Sequence, residues 1–333
     1  MRLVRAGARL SALRLTLALA LIAILASACG SSANAGSPGS HTITVAVVPG
    51  PGNAPLYVAV RDGLFSQHGL TVHIKRYPAL APVVRALRSG QAQVAAGDYT
   101  DFLYEQANNQ LSLRLVADGY DATPNMTEIL TLPNSKITSP QALEGATVAS
   151  PEPQVITATG SLPYDIETLA AQAVLESDGV SPTSVKWKPT PAQDMISELR
   201  NGQVSAILAT EPYVLKAESQ VGAQELIDAN SGVASALPQL GYFSLSSYAL
   251  GHSATVSEFR TVLFQAQAAS SMRGPIQRVL PKATGMSASD AALITLGAYP
   301  TYLSVGQVQR VAQLMFEAGV TDNLLNVKGL VAR

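Results

Sequence analysis

Hydrophobic and polar positions alternate between two periods along this chain. Ile43 to Val48 (ITVAVV) is a short apolar, β-branched run, stopped by Pro49-Gly50-Pro51-Gly52-Asn53, and reads as a strand. From Pro55 the spacing becomes helical, with Leu56, Val60, Leu64 and Phe65 available for one face, until Gly69 ends it. Leu70 to Lys75 predicts a second strand, residues 80–88 a helix closed by Ser89-Gly90, and Val94 to Ala96 a third strand. Helix-length connections between short apolar strands predict a parallel sheet covered on both faces. Leu113 to Asp118 and Glu128 to Leu132 read as two further strands.

A similar series restarts near residue 140. Ala146 to Ala149, Val185 to Lys188 and Val204 to Leu208 are predicted strands, with helices at 162–178 and 191–200 between them. Leu87-Arg88-Ser89-Gly90-Gln91 recurs as Leu199-Arg200-Asn201-Gly202-Gln203. In both copies Gly falls just past a helix end, where the backbone turns left-handed. Both copies then enter an apolar strand leading to an acid and a tyrosine: Asp98-Tyr99, and Glu211-Pro212-Tyr213. Two equivalent α/β lobes produce this pattern. After about residue 240 come one more strand, Tyr242 to Tyr248, and then mainly helix.

The N-terminal pattern is different. Arg2, Arg5, Arg9 and Arg14 precede an apolar run, Leu15 to Leu25, that is too short to span a bilayer comfortably. Ala26-Ser27-Ala28 and then Cys29, the single cysteine of the chain, follow. The segment resembles a lipoprotein signal, which implies lipid attachment at Cys29. Ala26-Ser27-Ala28 also reads as an ordinary A-x-A cleavage site that would release a soluble protein, and an uncleaved anchor is a third reading. Gly30 to Ser40 is small, polar and turn-rich, a flexible tether.

Composition narrows the function classes. Residues 1–28 hold four Arg and no acid, so the remainder carries 18 basic against 23 acidic residues, a net of −5. This balance, without a long basic run, argues against nucleic acid as a partner. With Cys29 taken, no disulfide or cysteine-based metal site can form, and His41, His68, His73 and His252 lack ligand spacing. No metal or cofactor is expected. Neither a GxSxG nucleophile elbow nor a phosphate loop is present, because Pro49-Gly50-Pro51-Gly52 lacks the following Lys-Ser/Thr.

Several segments carry a family resemblance. Ala54-Pro55-Leu56-Tyr57-Val58-Ala59, Gly63-Leu64-Phe65 and His68-Gly69-Leu70-Thr71-Val72 match an opening "aPlyvA…GlF…GLdV". Ala86 to Gln91 matches "ALxSGxxD", with Gln93 where Asp is usual; Ile137 to Val148 matches the entry to a second lobe. Glu211-Pro212 matches a "wEP" loop, with Thr210 in place of the aromatic residue. In this order they resemble the periplasmic substrate-binding proteins of ABC importers for sulfonates, taurine, nitrate and thiamine precursors, a fold shared with the thiamine-pyrimidine synthases.

The resemblance implies an α/β protein of the type II periplasmic-binding class, two α/β lobes joined by two hinge strands. It implies a signal peptide over 1–28, a tether over 29–41, a first lobe over 42–130, a second over 131–235, and a return to the first over 236–333. The function it implies is capture of a small organic molecule, a sulfonate or a thiamine-precursor-like heterocycle. Delivery would be to an ABC permease, by a monomer lipid-anchored outside the bacterial cell membrane. A ligand sensor for a membrane signalling partner is the alternative. A synthase-like enzyme is disfavoured, since those relatives depend on a cysteine-rich motif and no cysteine follows Cys29.

Ligands of open α/β sheets lie beyond the carboxyl ends of the strands. That rule selects Pro49 to Tyr57, Gly97 to Asp101, Ser150 to Ser161 and Thr210 to Tyr213. The candidate ligand-binding residues are Asn53, Tyr57, Asp98, Tyr99, Thr100, Thr157 and Glu211. Asp98 and Glu211 read equally as helix-terminal charges that complement the dipole. The selected loops hold acids and no Lys or Arg, so a neutral heterocycle or an amine-bearing ligand fits them at least as well as a sulfonate.

Overall fold

The computed structural model describes residues 41–152, 156–157, 160–161 and 165–332. Cys29 and nearly all of the expected tether lie outside the described residues; His41, assigned to the tether, opens the first strand. That strand, β1 (His41–Val47), is followed by α1 (Ala54–Arg61), α2 (Leu64–Gln67) and β2 (Leu70–Arg76). Next come α3 (Leu80–Arg88), β3 (Val94–Asp98), α4 (Tyr99–Ala107) and β4 (Leu113–Asp121). The chain then crosses to β5 (Thr127–Thr131), β6 (Thr147–Ser150), α5 (Ile166–Ser177), β7 (Lys186–Pro189), α6 (Ala192–Arg200) and β8 (Ala206–Thr210). After α7 (Tyr213–Val221) and β9 (Gln224–Asp228) it returns to β10 (Pro238–Leu245). The helices α8 (Ser246–Gly251), α9 (Ser253–Ala269), α10 (Arg273–Thr284), α11 (Ala288–Leu293) and α12 (Val305–Glu317) complete it.

The two sheets have the same plan. One runs β2-β1-β3-β10-β4 and the other β7-β6-β8-β5-β9. In each, three parallel strands are extended by an antiparallel strand that pairs with the third, β10 with β3 and β5 with β8. The expected all-parallel sheet is therefore corrected to a mixed one. The antiparallel strand arrives from the other half of the chain, and local spacing carries no sign of its direction. The repeated Leu-Arg-x-Gly-Gln fragment closes α3 and α6, and Gly90 (φ 75) and Gly202 (φ 69) are both left-handed. A Cβ costs roughly 1 kcal/mol or more in that conformation, which accounts for glycine at both places.

Sheet membership also moves a boundary. β5 pairs with β8 and β9, so the expected division at 130/131 falls inside a strand of the second sheet. The chain crosses between sheets at 122–126 and 229–237, and the two crossings are bonded to each other. Ala122 N–H donates to the Leu237 carbonyl at 2.9 Å, and Asn230 Oδ1 accepts the Thr127 N–H at 2.8 Å. Apolar faces of the helices cover the sheets. Val83 and Leu87 of α3 pack with Phe102 and Leu103 of α4, and Phe259 of α9 stacks on Phe65 of α2 at 5.3 Å. Truncating any of these to Ala would cost about 2–5 kcal/mol.

Candidate functional site

Three segments bring polar groups to the carboxyl ends of the strands. The turn after β1 is held by Asn53, whose amide donates to the Val48 carbonyl (2.9 Å) and whose Oδ1 accepts the Gly50 N–H (3.3 Å). β3 ends at Asp98 with no intervening loop, because Gly97 and Asp98 still pair with β10, and α4 starts at the next residue. In the second lobe α5 begins at Asp165, whose Oδ1 accepts the Thr168 N–H at 2.7 Å, an N-cap.

Between the sheets these segments enclose a cavity of about 230 Å³. The first lobe lines it with the Pro49–Asn53 turn, Asp98, Tyr120 and Gln239, the crossing with Met126, and the second lobe with Glu167 and Thr210. Among the described residues, no Lys or Arg lines it. Tyr120 forms one wall; its hydroxyl accepts the Gly297 N–H at 2.6 Å and its ring lies 5.2 Å from that of Tyr299. Tyr299 donates to the Pro51 carbonyl at 2.9 Å, so residues 297–299 brace both the tyrosine and the turn.

The electrostatics are dominated by acids. Burial pushes the Asp98 carboxyl up to about 7, and the nearby Asp165 adds to the shift. Asp165 is itself raised by burial, to about 6, against the opposing hydrogen bonds from Thr168. Burial holds Asp101 and Glu167 well above the usual carboxylate range, with Asp98 and Asp165 contributing to both. Two acids of the first lobe and two of the second thus meet at one place. Among the described residues, no group of His, Cys, Asp and Glu is arranged to hold a metal ion.

The expected site residues divide. Asn53 and Asp98 line the cavity. Asp98 occupies the N-cap position of α4, yet its side chain makes no capping hydrogen bond, so its carboxylate is not spent on the helix. Tyr99 is placed elsewhere: it is fully buried behind β10, edge-on to Phe243, with its hydroxyl donating to Asp118 Oδ1 at 3.0 Å. The slot exists because residue 241 is glycine; a Cβ there would lie 2.7 Å from the Tyr99 ring. Thr100 is fully buried in the first turn of α4. Tyr57 packs on α1 against the apolar clusters of the first lobe and is absent from the cavity wall. Glu211 stands beside cavity-lining Thr210, but its carboxylate accepts the N–H groups of Leu215 (3.2 Å) and Thr295 (2.9 Å). The Thr157 side chain lies outside the described residues.

Tyr120, Glu167 and Gln239 line the cavity and were not among the expected residues. Glu167 carried a weak signal, an acid near the start of the helix predicted at 162–178, and it falls in the first turn of the observed α5. Tyr120 and Gln239 carried none, since their placement depends on β4 and β10 being paired.

The profile of the family described as "NMT1/THI5 like" matches residues 51–272. No curated protein sequence matches the chain. Solved structures do. The periplasmic aliphatic sulphonate binding protein SsuA from Escherichia coli superposes with a TM-score of 0.71 at 17% identity, covering 88% of this chain and 97% of its own. The periplasmic nitrate-binding protein NrtA from Synechocystis PCC 6803 gives 0.68 at 12% identity, covering 87% and 84%. The desulfurization enzyme DSZB gives 0.64 at 14% identity, covering 88% and 96%. At these identities the superpositions establish the fold alone. Because the profile covers more than half of the sequence, the chain belongs to the NMT1/THI5-like family, and its two-sheet architecture is the fold of the periplasmic binding proteins.

Proposed function

We propose that the protein is an extracytoplasmic solute-binding lipoprotein, anchored through Cys29, which captures a small organic molecule between its lobes and delivers it to an ABC permease. The observation that carries this reading is the cavity between the two sheets, walled from both lobes and spanned by two bonded crossings. Such a cavity suits hinge closure, in which the bound solute contributes contacts from both sides and favours the closed form. Family membership and the folds of the sulphonate- and nitrate-binding proteins support it. The fold is shared with a desulfurization enzyme as well; among the described residues of the cavity wall Thr210 supplies the aliphatic hydroxyl, and it is bonded to Thr127 at 3.0 Å.

Small-angle scattering tests the clamp: saturating solute compacts the protein and raises its melting temperature through linkage. A solute that binds without compaction would count against closure. For the anchor, intact mass of the mature protein should show lipid on Cys29, and Cys29→Ala should release the protein or stop processing. Lipid attachment of two or more chains contributes about 0.8 kcal/mol per buried methylene, enough for a stable hold.

A further inference from the structure

We propose that the cleft selects a solute carrying a protonated amine, held between Asp98 of the first lobe and Glu167 of the second, and rejects sulfonates and other small anions. The inference rests on the solute-binding reading above and adds the charge of the solute. Its first support is geometric: Asp98 and Glu167 line one cavity from opposite lobes, and among the described residues no Lys or Arg lines it.

The second support is independent of the acids. Gln239 lines the same cavity, is 4% exposed, and its Oε1 has no hydrogen-bond partner among the described residues. Its own amide is used on the Leu237 carbonyl at 3.2 Å. A buried acceptor without a donor is destabilising, and an N–H from a solute is the group that removes that cost.

An anion would ordinarily be drawn to a cleft where helix N-termini converge. Here α4 and α5 converge, and each already carries two acids at its start: Asp98 and Asp101 on α4, Asp165 and Glu167 on α5. Asp165 already caps the start of α5. A sulfonate finds no basic side chain among the described lining residues, and each carboxyl that ionises repels it in a water-poor space, where the repulsion is least screened. A protonated amine supplies charge and N–H donors together, and each charge-assisted bond is shorter and stronger than a neutral one.

The test uses matched triads, each an amine, an alcohol and a sulfonate on the same carbon skeleton, from ethyl to phenethyl, titrated calorimetrically. In at least one triad the amine should bind at least tenfold tighter than the alcohol, and the sulfonate should not bind. Asp98→Asn and Glu167→Gln should each weaken the amine by about tenfold, with circular dichroism confirming the fold. Small molecules released from the protein purified from its native cell and weighed by mass spectrometry give a measurement that needs no variant; the expected species carries a basic nitrogen. A released or tightly bound sulfonate or carboxylate would overturn the charge inference while leaving solute binding intact. If no triad member binds and nothing is released, both readings fall.

Discussion

Glu211 of the second lobe accepts the backbone N–H of Thr295 at 2.9 Å, joining positions 84 residues apart. Thr295 belongs to the segment that continues to Gly297, bonded to Tyr120, and to Ala298, bridged to Asp121 of the first lobe. The Glu211 carboxyl is thus a tie between lobes at the edge of the cleft rather than a group held open for a solute. Burial raises its pKa, and the N–H groups of Thr295 and Leu215 oppose that rise.

Glu211→Ala should therefore act on stability. Both N–H groups lose an acceptor, and hydrogen bonds to a charged group contribute about 1.5–3 kcal/mol each before compensation by water. We expect an overall loss of about 1–3 kcal/mol in denaturant unfolding. Glu211→Gln keeps one carbonyl acceptor and should lose less. Neither variant should change the ranking of amine, alcohol and sulfonate, and a reversed ranking in Glu211→Gln would place this carboxyl in the binding site after all.

Tyr99→Phe tests the other displaced candidate. The hydroxyl donates to Asp118, which is fully buried and whose second oxygen has no partner. Removing the donor leaves the first oxygen with the Gly119 N–H alone, at 3.1 Å. A loss of about 1–3 kcal/mol is expected, with solute affinity unchanged. Affinity falling while stability holds would show that Tyr99 reaches the cavity.

The elements were largely legible in the chain and the site much less so. α3 was read at its observed bounds, because its amphipathic pattern and Gly90 are local signals. No helix is predicted over α4, whose first residues fall in the loop selected at Gly97 to Asp101, since Gly97-Asp98-Tyr99 looks like a turn until β10 pairs with Gly97 and Asp98. The same long-range strand decides which tyrosine reaches the cavity. Tyr99 stands next to Asp98 in sequence, yet helical geometry turns it back onto Gly241, while Tyr120 from the far side of the sheet forms the wall. Acidity of the site was legible from Asp98 and Asp101 in the selected loop. That Asp165 and Glu167 gather around them follows from two helix starts facing each other, a tertiary fact.

Gly97→Ala probes how tightly Asp98 is placed. A Cβ at 97 would lie 2.6 Å from Leu80 Cδ1 and 2.7 Å from the Phe102 ring. Overpacking of this kind costs about 1–3 kcal/mol. Shifting the strand end also shifts the carboxyl that follows it, so the variant should lose amine affinity beyond its loss of stability. Titration at a temperature where the variant is fully folded separates the two, and wild-type affinity there would show that Asp98 is not positioned by this packing.

The raised carboxyls set a pH dependence whose sign is opposite to the common acid-labile case. Asp98, Asp121 and Glu128 are each pushed up to about 7, chiefly by burial, and Asp165 to about 6. Between the ordinary carboxylate range and those values the folded chain holds more protons than the unfolded one. Stability then falls as pH rises through that window, because unfolding releases protons. Asp98 is faced by Asp165, Asp101 and Glu167, and the Arg88–Glu105 pair at 2.8 Å lies behind Asp101 on α4. Among the described residues, no cation of the cavity wall counters the trend. Without solute, scanning calorimetry should show the melting temperature dropping by about 5 °C or more between about pH 5 and about pH 8. A bound amine favours the ionised carboxyls, lowers their folded-state pKa values and flattens the slope, so its stabilisation should grow as pH rises. A melting temperature that rises over the same interval in the solute-free protein would mean that these acids are ionised in the fold and that an unseen cation compensates them.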